Sequence, residues 1–422
     1  MAAQILDDLA WRGLIAHSTD LDALGGELSR GPLTFYCGFD PTAPSLHFGN
    51  LVQLVTMRRL QRAGHLPLAV VGGATGLVGD PSGVSVERSL NDADVVAEWV
   101  TRIRLQVERL LDFSGPAAAR IVNNLDWTAP LSALDFLRDV GKHFSVNRML
   151  DKESVSARLD GPGISFTEFS YQILQAFDYL ELYRRYGCRL QTGGSDQWGN
   201  LTAGVDLIRR VAGESVHAFA TPLITRADGT KYGKSAGATL WLDPQITSPY
   251  AFYQYFVNTD DADVVALLKV FSLRGRAEIE ALEAASQSRP EERAAQQALA
   301  SELTALVHGD GPAAQAVAAS GALFGDGDLR RLDEPTLATA LAELPRAEVQ
   351  SPLPPLVDLL VASGLAASRS AARRTVAEGG AYLNNRRLTD PAATPDEAEL
   401  LHGRWLVLRR GRRTLAAVEK IG

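Results

Sequence analysis

Over the first 228 or so residues, Gly-rich turns and short apolar runs alternate with longer stretches of helical period. The apolar runs are LTFYCGF (33–39), PLAVVGG (67–73), ARIVNN (119–124) and CRLQTGG (188–194). Between them, LVQLVTMRRLQRAG (51–64) and DVVAEWVTRIRLQVERLL (94–111) repeat apolar positions every three or four residues. Apolar runs of this length read as strands, and they alternate with helices. The expected architecture is α/β with a doubly wound parallel sheet. From about 248 to 345 the texture changes to AEIEALEAASQ, EERAAQQALASELTALVHG and PTLATALAEL. Good helix formers with few β-branched residues predict an all-α domain there. RAEVQSPLPPL cannot continue a helix, so 346–355 reads as a Pro-rich linker. The remaining 356–422 reads as a small α+β unit: two short helices, VDLLVASG and SRSAARRTVAEGG, then AYLNNRRL and RWLVLRRGRRTLAAVEKI.

A chain of 422 residues exceeds one ordinary core, which agrees with several domains. At 46% hydrophobic and 22% charged it is neither disordered nor fibrous. No apolar run is long enough for a membrane span, and MAAQILDDLAWRGLI lacks the basic lead-in of a signal peptide. Two cysteines, Cys37 and Cys188, exclude a disulfide framework and favour a reducing, cytoplasmic setting. The net charge of −8 argues against a nucleic-acid partner only until it is divided along the chain. From Pro352 onward there are 11 basic and 7 acidic residues, so a basic tail follows an acidic body.

Two segments carry candidate chemistry. In YCGFDPTAPSLHFGN (36–50) an apolar strand turns into a helix starting near His47, whose unpaired N–H groups and positive dipole end suit a phosphate. His47 and Asn50 add donors, and Gly49 is expected to let a nucleotide approach the backbone. The second segment is Lys231-Tyr232-Gly233-Lys234-Ser235, two lysines straddling a glycine, which suits a polyphosphate whose charge shifts during reaction. Taken singly, either is also compatible with an ordinary helix start or a solvated loop. GGATGLVGDPSG (72–83) is neither a P-loop nor a dinucleotide fingerprint and reads as backbone permitting close approach, with Asp80 as its active member. No His/Cys cluster has metal-ligand spacing, and no metal site is expected.

Together the two segments resemble the paired signatures of class I aminoacyl-tRNA synthetases. YCGFDPTAPSLHFGN, GGATGLVGDPSG, NNLDW, FLRDVGKHFSVNRML, FTEFSYQILQAFDYL and GGSDQWGN resemble, in order and spacing, the bacterial tyrosyl-tRNA synthetases. The resemblance implies a Rossmann-like catalytic domain (1–228), a catalytic lysine loop and connection (229–247), an α-helical anticodon-side domain (248–345) and an RNA-binding domain of the ribosomal S-four type (356–422). It implies activation of L-tyrosine by ATP carrying Mg2+, transfer to tRNA(Tyr), and a homodimer formed through about Leu125 to Phe166.

By the same resemblance, Tyr36 and Asp178 read the substrate phenol, and Asp80, Tyr171 and Gln175 meet its ammonium. Gln197 lies near the reacting carboxylate. Tyr171, Gln175 and Asp178 are spaced four and three apart, which puts them on one helical face. Cys37, Gly194 and Asp196 hold the ribose, and Gly38, Asp40 and Gly49 complete the ATP site. Thr42, His47 and Asn50 contact the phosphates, with Arg88, Lys231, Lys234 and Ser235 closing over pyrophosphate. Val84 stands where relatives often carry Lys. In the tail, Arg369, Arg373, Arg374, Arg386, Arg387, Arg409 and Arg410 are the implied RNA-binding residues, with Arg412 and Arg413 beside them. A tryptophanyl enzyme shares the class signatures, but the Tyr36 and Asp178 pair favours tyrosine. A non-catalytic RNA-binding relative is opposed by the presence of His47, Lys231, Lys234, Asp80 and Asp178.

Overall fold

The computed structural model describes all residues except 1, 81–90, 151–154, 156–162, 227–228, 231, 233, 236–237, 326, 412–413 and 422. Four of the expected apolar runs become β2 (Thr34–Phe39), β3 (Leu66–Val71), β4 (Arg120–Asn123) and β5 (Leu190–Gly194). With the antiparallel edge strand β1 (His17–Ser18) and β6 (His217–Thr221) they form a sheet ordered β1-β6-β5-β2-β3-β4. All the pairs from β6 to β4 are parallel. Central strands β2, β3 and β5 are buried on both faces, so they carry no polar alternation.

The chain runs β2, β3, β4 outward on one side, then returns to place β5 and β6 on the other. The order therefore reverses between β2 and β5, and the crevice beyond the carboxyl ends of those strands is where such sheets bind ligands. Asp40 follows β2 there, Gly72 follows β3 and Ser195 follows β5.

Contacts divide the chain into two compact units, Met1–Ile246 with Asp260–Ala295, and Thr247–Thr259 with Gln296–Gly422. The expected boundary at 248 is therefore interrupted. Helices Asp261–Phe271 and Arg276–Ser288 have the composition of the helical region but pack with the first unit. Arg12 and Arg59, both buried, explain why: their guanidiniums donate to the carbonyls that end helix Asp261–Phe271. Arg12 Nη1 reaches Lys269 O at 2.9 Å and Ser272 O at 3.0 Å, and Arg59 Nη2 reaches Ser272 O at 2.6 Å.

The segment read as a linker also differs. Arg346–Val349 is a strand, β9, whose alternating Ala347 and Val349 are buried. It pairs in parallel with β13 (Thr414–Lys420). The proline-bearing part follows only after it. With β10 (Ala381–Leu383), β11 (Arg386–Arg387) and β12 (Trp405–Arg410) this makes a sheet ordered β11-β10-β12-β13-β9. One face of β12 and β13 (Leu406, Leu408, Ala416, Val418) packs with Leu359, Leu360 and Val376. The other (Trp405, Val407, Leu415, Ala417) packs with Leu323, Leu337 and Leu341 of the helical region. The tail and those helices thus share a core, where the sequence suggested separate domains.

Candidate active site

The crevice is a cavity of about 560 Å3 in the first unit. Its walls include Tyr36, Cys37, Gly38, Asp40, Thr42, His47, Gly49, Asn50, Asp80, Tyr171, Gln175, Asp178, Gly194, Asp196 and Gln197. The sequence-predicted residues of the first signature, the Tyr171 helix and GGSDQWGN therefore converge on one chamber. Lys234 and Ser235 lie on the two-residue strand β7, which pairs with β8 (Ala238–Thr239). Arg88, Val84 and Lys231 lie outside the described residues, as do Arg412 and Arg413.

Helix Phe166–Tyr186 is started by Ser165, whose side chain accepts from Glu168 N–H, and ended by Gly187 in the left-handed conformation. It buries Tyr171 and Asp178 toward the chamber. Asp178 is held by two residues that the sequence reading did not single out. Trp127 Nε1 donates to Asp178 Oδ1 at 2.8 Å, and Asn124 Nδ2 to Oδ2 at 2.9 Å. Burial pushes the Asp178 carboxyl up to about 7, with the charges of Asp40 and Glu181 adding to the effect, while the Asn124 and Trp127 N–H groups pull it down. Tyr36 is also buried; its hydroxyl has no hydrogen-bond partner among the described residues, and burial followed by the Asp178 charge holds its pKa well above the ordinary phenol. A buried, unpaired hydroxyl beside a buried carboxylate is costly unless a ligand supplies the missing partner. Gln175 Oε1 is likewise buried and unpaired among the described residues.

Around them the polar groups are linked. Tyr171 donates to Asp40 Oδ2 at 2.5 Å and Thr75 to Asp40 Oδ1 at 2.6 Å. Asn124 also donates to Thr75 Oγ1, which ties the Asp40 and Asp178 sites together. Gln197 Nε2 donates to Asp80 Oδ2 at 2.5 Å, with Asn200 donating to Gln197 Oε1. Burial pushes the Cys37 thiol up to about 12, so at neutral pH it is a neutral donor rather than a nucleophile.

At His47 the structure changes the expected reading of the helix start. The first amides are already used: Phe48 N–H donates to Leu240 O, Gly49 N–H to His47 Nδ1 at 3.0 Å, and Asn50 N–H to His47 O. The phosphate-binding capacity of this turn therefore rests on side chains. Accepting at Nδ1 leaves the proton of the neutral imidazole on Nε2. Asn50 Oδ1 accepts from His47 N–H at 3.0 Å, completing a capping box. Gly49 serves this arrangement directly, since a Cβ there would stand 2.8 Å from His47 Cε1. Gly72 also has a local reason: a Cβ there would lie 2.0 Å from Asp40 Oδ1.

Trp241 faces His47 with ring centroids 6.2 Å apart, and their backbones form an isolated antiparallel bridge. Leu242 N–H donates to Leu46 O across the same contact. The segment following β8 is thus stitched to the first signature.

The profile of the family described as tRNA synthetases class I (W and Y) matches residues 28–325, and that of the tyrosine–tRNA ligase SYY-like C-terminal domain matches 336–418. A tyrosine–tRNA ligase of Streptomyces coelicolor is 62% identical over 420 residues, 99% of either chain. That of Mycobacterium tuberculosis is 60% identical over 425 residues, the full length of both. The chain belongs to the class I tyrosyl-tRNA synthetase family. Among solved structures, a C-terminally truncated mitochondrial tyrosyl-tRNA synthetase of Aspergillus nidulans aligns with TM-score 0.68 and 29% identity, covering 75% of this chain and 95% of its own.

Across the synthetase's second unit the tail arginines have distinct surroundings. Arg369 makes a two-pronged pair with Asp358 at 2.5 and 2.9 Å. Arg387 Nε donates to Gly379 O and Arg410 Nη1 to Leu365 O. Arg409 stacks 4.3 Å from the Tyr382 ring centroid, and cross-strand register sets Arg387 opposite the same Tyr382. Arg373, Arg374 and Arg386 are exposed.

Proposed function

We propose that the chamber selects L-tyrosine through Tyr36 and Asp178 and activates it with ATP. The supporting observation is the buried, unpartnered Tyr36 hydroxyl next to a carboxylate fixed by Asn124 and Trp127. A phenol donates to Asp178 and accepts from Tyr36, satisfying both; a phenyl ring satisfies neither. Asp80, Tyr171 and Gln175 receive the ammonium, and Gln197, positioned by Asp80 and Asn200, lies near the carboxylate.

The chain is a tyrosine–tRNA ligase. The tyrosine carboxylate oxygen attacks the α-phosphorus of ATP, the bond to the bridging oxygen breaks, and pyrophosphate leaves with its electron pair. The 3′-terminal hydroxyl of tRNA(Tyr) then attacks the adenylate carbonyl, releasing AMP. Neither step needs a protein nucleophile; both depend on alignment and on donors aimed where charge develops. His47 Nε2, Asn50 and Thr42 supply such donors on one side of the phosphates, and Lys231, Lys234, Ser235 and Arg88 on the other. Cys37, Gly38, Asp40, Gly49, Gly194 and Asp196 form the nucleoside side. Mg2+ enters on the ATP phosphates as part of that substrate, and the working compartment is the cytoplasm. Among the described residues no helix is long and apolar enough to cross a membrane.

The test is ATP–pyrophosphate exchange with tyrosine, tryptophan and phenylalanine. Exchange driven by tyrosine alone is expected. Exchange with tryptophan and not tyrosine, or with none, would overturn the reading.

The homodimer is supported by exposed apolar side chains within 125–166: Leu134 is 79% exposed, Val146 59%, Leu137 57% and Phe166 75%. A second copy burying this patch removes it from water. Light scattering on Leu137→Asp is expected to give a monomer at concentrations where the parent is a dimer; a parent that is itself a monomer sinks the idea.

A further inference from the structure

Tyr232 stands inside the Lys231-Tyr232-Gly233-Lys234-Ser235 signature, between the two lysines. Its side chain points inward and is buried, and its hydroxyl donates to Asp263 Oδ2 at 2.8 Å. The contact crosses 31 positions of sequence to the first turn of helix Asp261–Phe271, where Asp263 is itself buried. The Tyr232 ring lies 6.0 Å from that of Phe48, and Arg226 sits over its other side at 4.9 Å. Phe48 is the residue after His47 and packs on Phe271 at 4.5 Å, at the far end of the same helix. Arg12 and Arg59 hold that end through the Lys269 and Ser272 carbonyls, and Arg59 belongs to the helix that His47 caps.

These contacts close a loop. From His47 the path runs through Phe48 to Phe271, along one helix to Asp263, and back through Tyr232 to the signature that carries the lysines. Tyr232 and the residue after His47 are thereby both referred to one helix, Asp261–Phe271.

Resting on the reading that the lysines serve pyrophosphate, we propose that the Tyr232 hydroxyl is a positioning group for tyrosine activation, acting through Asp263 to set where Lys231 and Lys234 meet the leaving phosphates. Tyr232 lines the same chamber as Tyr36 and Asp178, but its hydroxyl is engaged by Asp263, which is not part of that lining. The effect of this contact falls on the step in which charge develops on pyrophosphate.

The experiment compares Tyr232→Phe, Asp263→Asn and the double variant with the parent in tyrosine-dependent ATP–pyrophosphate exchange, alongside tyrosine binding by equilibrium dialysis. Tyr232→Phe removes one oxygen and keeps the ring between Phe48 and Arg226. It is expected to lower exchange kcat about tenfold, as for loss of one hydrogen bond to a charged acceptor, with tyrosine Kd unchanged within about twofold. The double variant is expected to lose no more than the worse single one. Unchanged kcat in Tyr232→Phe, an equal loss in tyrosine binding, or additive losses would overturn the proposal. If Asp263→Asn does not fold, Tyr232→Phe alone carries the test through its split between kcat and Kd. A parent protein with no tyrosine-dependent exchange would instead overturn the functional reading beneath it, so the two failures are distinct.

Discussion

Asp178→Ala lowers kcat/KM for tyrosine activation by about two orders of magnitude or more, roughly 3 kcal/mol of transition-state stabilisation. The variant loses a charged acceptor for the phenol and also strands the Asn124 and Trp127 donors that now end on that carboxylate. Activity with phenylalanine changes far less, so discrimination between the two amino acids collapses. A variant that still prefers tyrosine by the parental ratio would remove Asp178 from the recognition pair. pH gives a companion readout. The Asp178 carboxyl, pushed up to about 7, is mostly protonated at pH 6, where it is a weaker acceptor. Tyrosine KM is therefore expected to rise as pH falls from 8 to 6 in the parent and to stay flat in Asp178→Asn. The stability consequence has the opposite sign. Because the folded pKa lies above the ordinary carboxyl value, the contribution of this group to stability is present at low pH and is lost as pH rises through about 7. The ligand-free fold is weakened at the pH where the site selects best.

Reversing charge at Arg373, Arg374 and Arg386 together, each to Glu, raises the KM for tRNA by about 10- to 100-fold at moderate salt and leaves pyrophosphate exchange untouched. These three arginines are the exposed members of the predicted set whose heads are not engaged by Asp358, Gly379 O, Leu365 O or Tyr382 in the contacts described above. The salt dependence of tRNA binding should flatten by about two to three in slope if each meets a phosphate. An unchanged slope would assign RNA binding elsewhere. Charge reversal is the better instrument than truncation at Pro352. A cut there strips β9 of β13 and removes Leu401, Trp405, Val407, Leu415 and Ala417 from the core they share with Leu323, Leu337 and Leu341.

β3 was readable because burial leaves it apolar throughout, and β2 nearly so, whereas β5 buries the polar Gln191 and Thr192 and was marked mainly by the Gly193 and Gly194 that end it. The Tyr171, Gln175 and Asp178 face was readable because helical spacing is local. Asn124 and Trp127 were not: in sequence they follow a strand as turn punctuation, and only the neighbouring of β4 with β3 brings them to Asp178. Asp263 escaped for the same reason at longer range. Composition placed 261–271 within a helical region but could not say what that helix packs on, which depends on Arg12, Arg59 and Phe48. The strand β9 was hidden by its prolines downstream, although Ala347 and Val349 alternate with charged neighbours. The His47 turn shows a different limit. Its unpaired amides were inferred from the helix rule, and the residues that consume them are the imidazole itself and a carbonyl nearly two hundred positions away.

The interleaving of the two compact units bears on heredity as well as on folding. Because residues 260–295 return to the body that holds the chamber, no single crossover in the gene can exchange one whole unit for its counterpart from a relative. A recombinant joined once near 247 inherits the lysines from one parent and Asp263 from the other. Such chimaeras are expected to keep these contacts only where the parents are compatible at the pairs Tyr232 with Asp263 and Phe48 with Phe271, whose side chains come from opposite sides of the junction. Within each pair the two positions should therefore drift together between lineages, while the residues of 247–259, which lie in the other unit, drift with the tail.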